Sequence, residues 1–343
     1  MTELRNDLVT GRQVLLAPGR SARPHTVAAA PVEPAPGNCP FCPGHEHETP
    51  PEVARTGSGA PQTPGWRIRV VPNLYPIVGG PRAAPGATGA HEVVIFHPDH
   101  KRSLSGLDDR EVRELFTVLR DRARAHVTAG FAHVQVLVNQ GRAAGASIAH
   151  PHAQVLAIDF VPPAVIEGVH RFEAARTNVV LTDAEASGPQ GGRVAGGRVV
   201  EGRVARDRVA GGPVVEGHVT DSDAIVWCPW ASASPFETRI TAPDAGPRFE
   251  HSPDAALAAV AVAARNVVRA IEAIHGAVAY NLVVHNGPAR GDHPFHWYVT
   301  IAPRVAVVAG FELGTGLFVS TVAPAAAAEL LRAEITSNGA AGP

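Results

Sequence analysis

The second half of this chain is a loose copy of the first, and that duplication limits its fold more than any other feature. In the first half, Glu92 to Asp99 reads as a strand ending in a Pro-Asp turn; Glu237 to Asp244 has the same shape. Each is followed by a helical stretch. The first runs from about residue 108 to 127, with Val112, Leu115, Phe116 and Leu119 on one face and Asp108 and Glu111 at capping-box spacing. The second runs from about residue 253 to 274, with Ser252 as N-cap, Pro253 at the first helical position and Gly276 as the stop. A strand follows each helix, Val134 to Asn139 and Tyr280 to His285. Then come a Gly-rich loop and a histidine-rich strand, His150 to Ile158 and His296 to Ile301. From Asp99 to His150 is 51 positions and from Asp244 to His296 is 52. Matching order and spacing predict an α+β fold of duplicated units, each an antiparallel sheet with a packed helix.

The duplication also sets the expected boundaries: an N-terminal unit over 1–183, an insertion over 184–222 and a C-terminal unit over 223–343. The insertion, most biased between Ala186 and Asp221, is rich in Gly, Arg and Val and has no helical period. It reads as a surface loop or hairpin; the other reading has its arginines meet a nucleotide phosphate. Thr26 to Pro36, rich in Pro and Ala, reads as a loop.

Of the 343 residues 45% are hydrophobic, enough for a full core, and the net charge is -2. That balance gives no reason to expect nucleic acid as a partner. No apolar run reaches the roughly 20 residues a bilayer span requires, and the first residues lack the pattern of a signal peptide. A soluble, cytoplasmic protein with no membrane partner is expected.

The stretch most laden with chemistry is His150-Pro151-His152-Ala153-Gln154. On a strand, His150, His152 and Gln154 fall on one face. Three polar groups among Ala, Val, Leu and Ile need a polar purpose, because unpaired burial is costly. Imidazole can attack a phosphorus centre and leave again, since its basicity lies near neutrality. Gln154 can donate to phosphoryl oxygens. The preceding loop, Gly141 to Ser147, can bring backbone N–H groups and the Ser147 hydroxyl to a phosphate. The competing readings are a metal site or core histidines with satisfied hydrogen bonds.

Three cysteines, Cys39, Cys42 and Cys228, do not make a disulfide framework. Cys39-Pro40-Phe41-Cys42 is a C-x-x-C pair, either redox-active or half of a tetrahedral zinc site. His100 and His150 are the first candidates to complete such a site. His97, on the strand itself, is weaker, and His45 and His47 are a second alternative.

Taken together these segments resemble the galactose-1-phosphate uridylyltransferase family, the branch of the histidine-triad superfamily with H-P-H-x-Q. The resemblance spans nearly the whole chain. Arg5 to Asp7 through Arg20 to Pro24 looks like the family's opening strand and R-x-x-R-P element. Cys39 to Cys42 matches the zinc knuckle, Val71 to Pro76 the nucleotide-contacting segment, His97 to His100 the source of a third zinc ligand, and Asn139 to Gln154 the active-site loop and strand. Cys228 to Glu237 and Ala309 to Gly316 also look like family segments.

The resemblance implies a ping-pong reaction on a nucleotide sugar, with His152 as covalent nucleophile and a sugar 1-phosphate or phosphate as the second substrate. It implies Ser147 and Gln154 on the phosphates, and Arg20, Arg23, Asn73 and Asn139 on the nucleotide. Glu312 would contact sugar hydroxyls. Cys39, Cys42, His100 and His150 would hold one structural zinc, and the protein would be a homodimer. Some members carry a second metal built from a Glu and three His. His285 and His296 match two of those positions, but Tyr298 stands for the third His and Gly168, beside Glu167, for the Glu; no second metal is expected. Tyr298 is also the counterpart of His152, so the second unit should be non-catalytic. Phe318 lies near an expected polar sugar contact, which weakens the case for galactose.

The leading expectation is therefore a hexose-1-phosphate uridylyltransferase using UDP-glucose. Within the same fold the alternative is an adenylyltransferase or nucleotide-sugar phosphorylase, for example on ADP-glucose and phosphate. A nucleotide-binding module without turnover is the reading outside enzymes, and the intact His150 to Gln154 stretch argues against it.

Overall fold

The computed structural model describes residues 2–22, 39–79, 86, 88–188, 192–194, 204–205, 214–215 and 224–340. Arg23, the loop expected at 26–36 and most of the insertion lie outside them.

The elements in chain order are β1 (Glu3–Asn6), β2 (Gln13–Leu16), β3 (Ala54–Gly57), β4 (Trp66–Pro72), β5 (Gly89–Ile95), α1 (Asp109–Thr128), β6 (His133–Gln140), β7 (His152–Ile158), α2 (Pro163–Ala175) and α3 (Val179–Ser187). Then follow β8 (Arg193–Val194), β9 (Val204–Ala205), β10 (Val214–Val215), β11 (Ile225–Trp227), β12 (Thr238–Thr241), α4 (Asp254–His275), β13 (Tyr280–His285), β14 (Tyr298–Pro303), α5 (Gly310–Thr315), β15 (Phe318–Ser320) and α6 (Pro324–Ala340). The fold is α+β, as expected from the duplication.

Both copies lie in one antiparallel ten-stranded sheet, ordered β3-β4-β5-β7-β6-β13-β14-β12-β11-β8. Read outward from the β6–β13 seam, the order is the same on each side: β6 and β13, β7 and β14, β5 and β12, β4 and β11. The copy extends to single hydrogen bonds. His150 Nε2 lies 2.8 Å from the carbonyl of His97; its counterpart His296 places Nε2 3.0 Å from the carbonyl of Ala242. A small second sheet, β1-β2-β15, joins the N-terminus to the C-terminal region through the parallel β15–β2 pair.

Helices α1 and α4 cover one face of the large sheet. In α1 the buried Val112, Leu115, Phe116, Leu119 and Ala123 form a stripe at helical spacing. The capping box is present: Asp108 Oδ1 accepts from Glu111 N at 2.7 Å and Glu111 Oε2 accepts from Asp108 N at 2.8 Å. The start of α4 differs from expectation by one residue. Pro253 occupies the N-cap, and no side chain caps the helix. The Ser252 hydroxyl is committed to the carbonyl of Phe249, 2.7 Å away, because a 3-10 turn over Phe249–His251 leads into the helix. Gly276 ends α4 with φ 72°, a conformation open to glycine.

Alternation along β7 sorts its side chains. Ala153, Val155 and Ala157 enter the core beneath the helices, while His152, Gln154 and Leu156 fall on the opposite face. That face is covered near His152 by a small apolar cluster of Cys39, Phe41, Trp66, Val71, Val93 and Ile95. The knuckle thus packs on the sheet surface that carries the histidine motif.

Candidate active site and metal centre

His150 and Pro151 precede the ladder of β7 rather than belonging to it, in keeping with the missing N–H of proline. His150 is therefore placed by its contacts and not by strand alternation. Its ring is fully buried. Because a carbonyl can only accept, the bond to His97 puts the proton on Nε2 and turns the Nδ1 lone pair toward the cysteines. Nδ1 lies 3.7 Å from Cys39 Sγ and 3.6 Å from Cys42 Sγ. His100 Nδ1 lies 3.5 Å from Cys42 Sγ.

The ligand atoms of Cys39, Cys42, His100 and His150 all lie within 4.8 Å of one another. A tetrahedral ion held about 2.3 Å from sulfur and about 2.0 Å from nitrogen has sulfur–nitrogen edges of about 3.6 Å. The observed edges fit one such ion. Burial, and then Cys39 beside it, push the Cys42 thiol up to about 11; a bound cation is what would let two adjacent cysteines stand as thiolates. Burial lowers His150 to about 4, which keeps its ring neutral and able to ligate. The first pair of candidate ligands, His100 and His150, is thus brought to the knuckle. His97 contributes its carbonyl, and His45 is turned to Glu48, 3.0 Å away.

His152 is 6% exposed. Its Nδ1 lies 2.9 Å from the carbonyl of His150, so Nδ1 carries the proton and Nε2 is left with a free lone pair. Phe41 stands edge-on to both histidines, with ring centroids 5.3 Å from His152 and 6.2 Å from His150. Burial is the main cause that lowers the pKa of His152, with its bond to His150 acting against it. The ring is thus neutral, oriented and nucleophilic at one nitrogen. The residue whose ring meets the two cysteines also supplies the carbonyl that orients His152.

Gln154 follows on the same face. Its Oε1 lies 2.8 Å from Nε2 of His91, a buried residue of β5. Asn73 is held just beyond β4, with its N–H donating to the His91 carbonyl at 2.7 Å and its Oδ1 accepting from Tyr75 N at 2.8 Å. Asn139 is the last residue but one of β6 and is tied across the seam: Asn281 Nδ2 donates to Asn139 Oδ1 at 2.7 Å and to the Ala144 carbonyl at 2.8 Å. Asn281 therefore braces the loop before His150 from the second copy of the fold. Ser147 is exposed within that loop, and Arg20 is exposed in a 3-10 turn after β2. Glu312 uses a carboxylate oxygen to accept from Ala309 N at 3.0 Å, capping its own short helix.

At the equivalent place in the second copy the chemistry is different. Tyr298 stacks on His285 with centroids 4.3 Å apart and planes 8° from parallel. Arg239, 1% exposed, lies 5.6 Å from the Tyr298 ring. It pairs with Asp183 at 2.9 Å and with Asp7. Gly168 lies beside Phe295, where an added Cβ would stand 3.2 Å from the ring.

Residues 83–162, which hold β5, α1, β6 and β7, match the family described as galactose-1-phosphate uridyl transferase, N-terminal domain. Across 96% of its length the chain is 28% identical to an ADP-glucose phosphorylase of Arabidopsis thaliana, of which it covers 92%. It is 27% identical to a galactose-1-phosphate uridylyltransferase of Thermotoga maritima over 47% of its length and 48% of that protein. Among solved structures it is similar to the Arabidopsis thaliana ADP-glucose phosphorylase with bound ADP-glucose. There the TM-score is 0.77 and the identity 27%, over 97% of this chain and 99% of that one.

Proposed function

As the chain belongs to the galactose-1-phosphate uridylyltransferase family of the histidine-triad superfamily, and is an enzyme that transfers nucleotidyl groups, we propose that it moves the nucleotidyl group of a nucleotide sugar onto phosphate through His152. The observation that carries this reading is the single oriented lone pair at His152 Nε2, held beside the amide of Gln154.

In the proposed reaction Nε2 attacks the α-phosphorus. The bond from that phosphorus to the bridging oxygen breaks, and a sugar 1-phosphate leaves with the electron pair. The Nδ1–H stays on the ring, which becomes cationic in the phosphorylated intermediate. The His150 carbonyl, already accepting that proton, stabilises the charge as it develops. In the second half-reaction an oxygen of the acceptor attacks the same phosphorus and the phosphorus–nitrogen bond breaks. The Gln154 amide would donate to the phosphoryl oxygens in both steps, with Ser147 and the loop backbone beside it. Arg20, Arg23, Asn73 and Asn139 would hold the nucleotide, and Glu312 the sugar.

ADP-glucose with inorganic phosphate is the substrate pair we favour. The likeness to an ADP-glucose phosphorylase runs the length of the chain, whereas that to the Thermotoga maritima uridylyltransferase covers about half. UDP-glucose with a hexose 1-phosphate is the second reading, supported by the match of residues 83–162. The ion proposed for the four-residue cluster is zinc, which takes mixed thiolate and imidazole ligands in closed tetrahedral sites. It would be structural, fixing His150 and through it the orientation of His152.

The test is to incubate the protein with ADP-glucose or UDP-glucose labelled at the α-phosphate, then to chase with phosphate or galactose 1-phosphate. Label on the protein from ADP-glucose, released as ADP by phosphate, is the expected result. Label from UDP-glucose released only by galactose 1-phosphate would select the second reading. No label from either would remove the covalent mechanism.

A further inference from the structure

The amide of Gln154 can present either end to a phosphate, and only one end helps. Its NH2 group donates to phosphoryl oxygens; its carbonyl oxygen repels them. Some neighbour must decide between the two.

His91 is that neighbour. It stands on β5, two residues before Val93, which is paired in register with Gln154. Residues 91, 93 and 95 share the face of His152 and Gln154, and the His91 side chain is buried. The backbone N–H of Ile77 donates to His91 Nδ1 at 3.3 Å. Nδ1 is therefore the acceptor nitrogen, and the ring proton sits on Nε2. That N–H donates to Gln154 Oε1 at 2.8 Å, the shorter of two contacts at this nitrogen; Asn73 Nδ2, 3.2 Å away, is a donor and finds no acceptor there. With its oxygen engaged, Gln154 turns its NH2 group away from His91. Burial lowers the pKa of His91, consistent with the neutral ring that this arrangement needs.

The same residue also fastens the segment after β4. Its carbonyl accepts from Asn73 N at 2.7 Å and its ring from Ile77 N, so the strap from Asn73 to Ile77 is held at both ends by one residue. Gly79, two residues past the strap, has φ 70°, and a Cβ there would stand 2.0 Å from the Gly89 carbonyl oxygen, so the chain meets the start of β5 too closely there for any side chain.

We infer that His91 is a positioning residue for nucleotidyl transfer: it fixes which end of the Gln154 amide faces the transferring phosphate and ties the Asn73–Ile77 strap to the same strand. This rests on the reading of His152 as the nucleophile and Gln154 as a phosphate ligand.

The test compares full-length wild type, H91F, H91Q, Q154A and H91F/Q154A in single-turnover labelling with the α-labelled nucleotide sugar that wild type accepts. H91F removes the ring N–H, whereas H91Q keeps a donor in its place. H91F should slow labelling by about 10-fold to 100-fold, with less than about a 3-fold change in KM, and H91Q should recover most of the rate. H91F/Q154A should be no slower than Q154A alone, because both remove one interaction. If H91F does not give the wild-type circular dichroism spectrum, H91A takes its place in the cycle. Wild-type labelling rates in H91F or H91A, or losses that multiply in full in the double variant, would overturn the inference alone. A wild-type protein that takes no label overturns the underlying reading, and the inference with it.

Discussion

A histidine becomes a specific nucleophile only when one of its two nitrogens is silenced, and here a backbone carbonyl does that. His150 O takes the Nδ1–H of His152 and leaves Nε2 as the single basic atom. Replacing His152 with Ala should abolish protein labelling completely, with the circular dichroism spectrum of wild type. Label on the variant would mean that another side chain carries the intermediate. Q154A should keep the intermediate but lower kcat by about 100-fold to 1000-fold, the usual cost of one lost donor to a developing oxyanion; an unchanged kcat would remove Gln154 from the phosphate. His152 and Gln154 were legible in the sequence because both lie within five residues and strand periodicity aligns them. His91 and Asn281 were not. Their roles come from strand register over separations of 63 and 142 positions, and a lone His or Asn in a strand carries no mark of its partner. His150 was legible as a ligand but not in its direction, because Pro151 takes it out of the ladder.

The knuckle packs directly on the sheet. Cys39, Phe41 and Cys42 lie on β4 and β5 through a cluster of few apolar side chains, and a bound ion would close the fourth side. Structural zinc contributes folding free energy directly. C42S should therefore lose the proposed zinc, as read by elemental analysis, and lower the melting temperature; one zinc per chain retained in C42S would contradict the proposed ligand set. The sequence reached this element through its C-x-x-C spacing, and ranked His100 above His97 because His97 lies on the strand before the tight turn; the four side chains do come together. Helix α1 is the opposite case, since its start was legible to the residue from Asp108 and Glu111. D108A removes the half of the capping box in which Asp108 Oδ1 accepts from Glu111 N, and should cost about 0.5–2 kcal/mol. A shift of the urea midpoint with an unchanged slope would show it. Strands β3 and β4, and helices α2, α3 and α6, left no comparable sign: their hydrophobic patterns are short or nearly continuous, and tertiary packing rather than periodicity defines them.

The duplication places two similar halves in one sheet, and the copy with Tyr298 in the place of His152 carries buried ties there. Arg239 joins β12 to Asp7 near the N-terminus and to Asp183 of α3, and Tyr298 stacks where a reactive ring would stand. Such interiors are sensitive to acid through their neutral histidines. His133 is 1% exposed and His296 3%, and burial lowers each to about 4. In the unfolded chain a histidine titrates near 6.5. Between these values the unfolded state binds two protons that the folded state refuses, so stability rises with pH across that window. The contribution is whole above about pH 6.5 and falls away as the pH drops toward 4. Near pH 5 the two groups together should give a slope of about 2.4 kcal/mol per pH unit. Protonation of the metal ligands would add its own acid sensitivity, so the informative comparison is with H296Q. Glutamine keeps a donor for the Ala242 carbonyl, to which His296 now donates at 3.0 Å, but it does not titrate. Urea unfolding of wild type and H296Q at pH 7.5, 6 and 5 should therefore show H296Q losing less stability on acidification, by about 1.2 kcal/mol between pH 6 and 5. Parallel pH curves for the two proteins would mean that His296 is already protonated in the folded state, or that its pocket admits water.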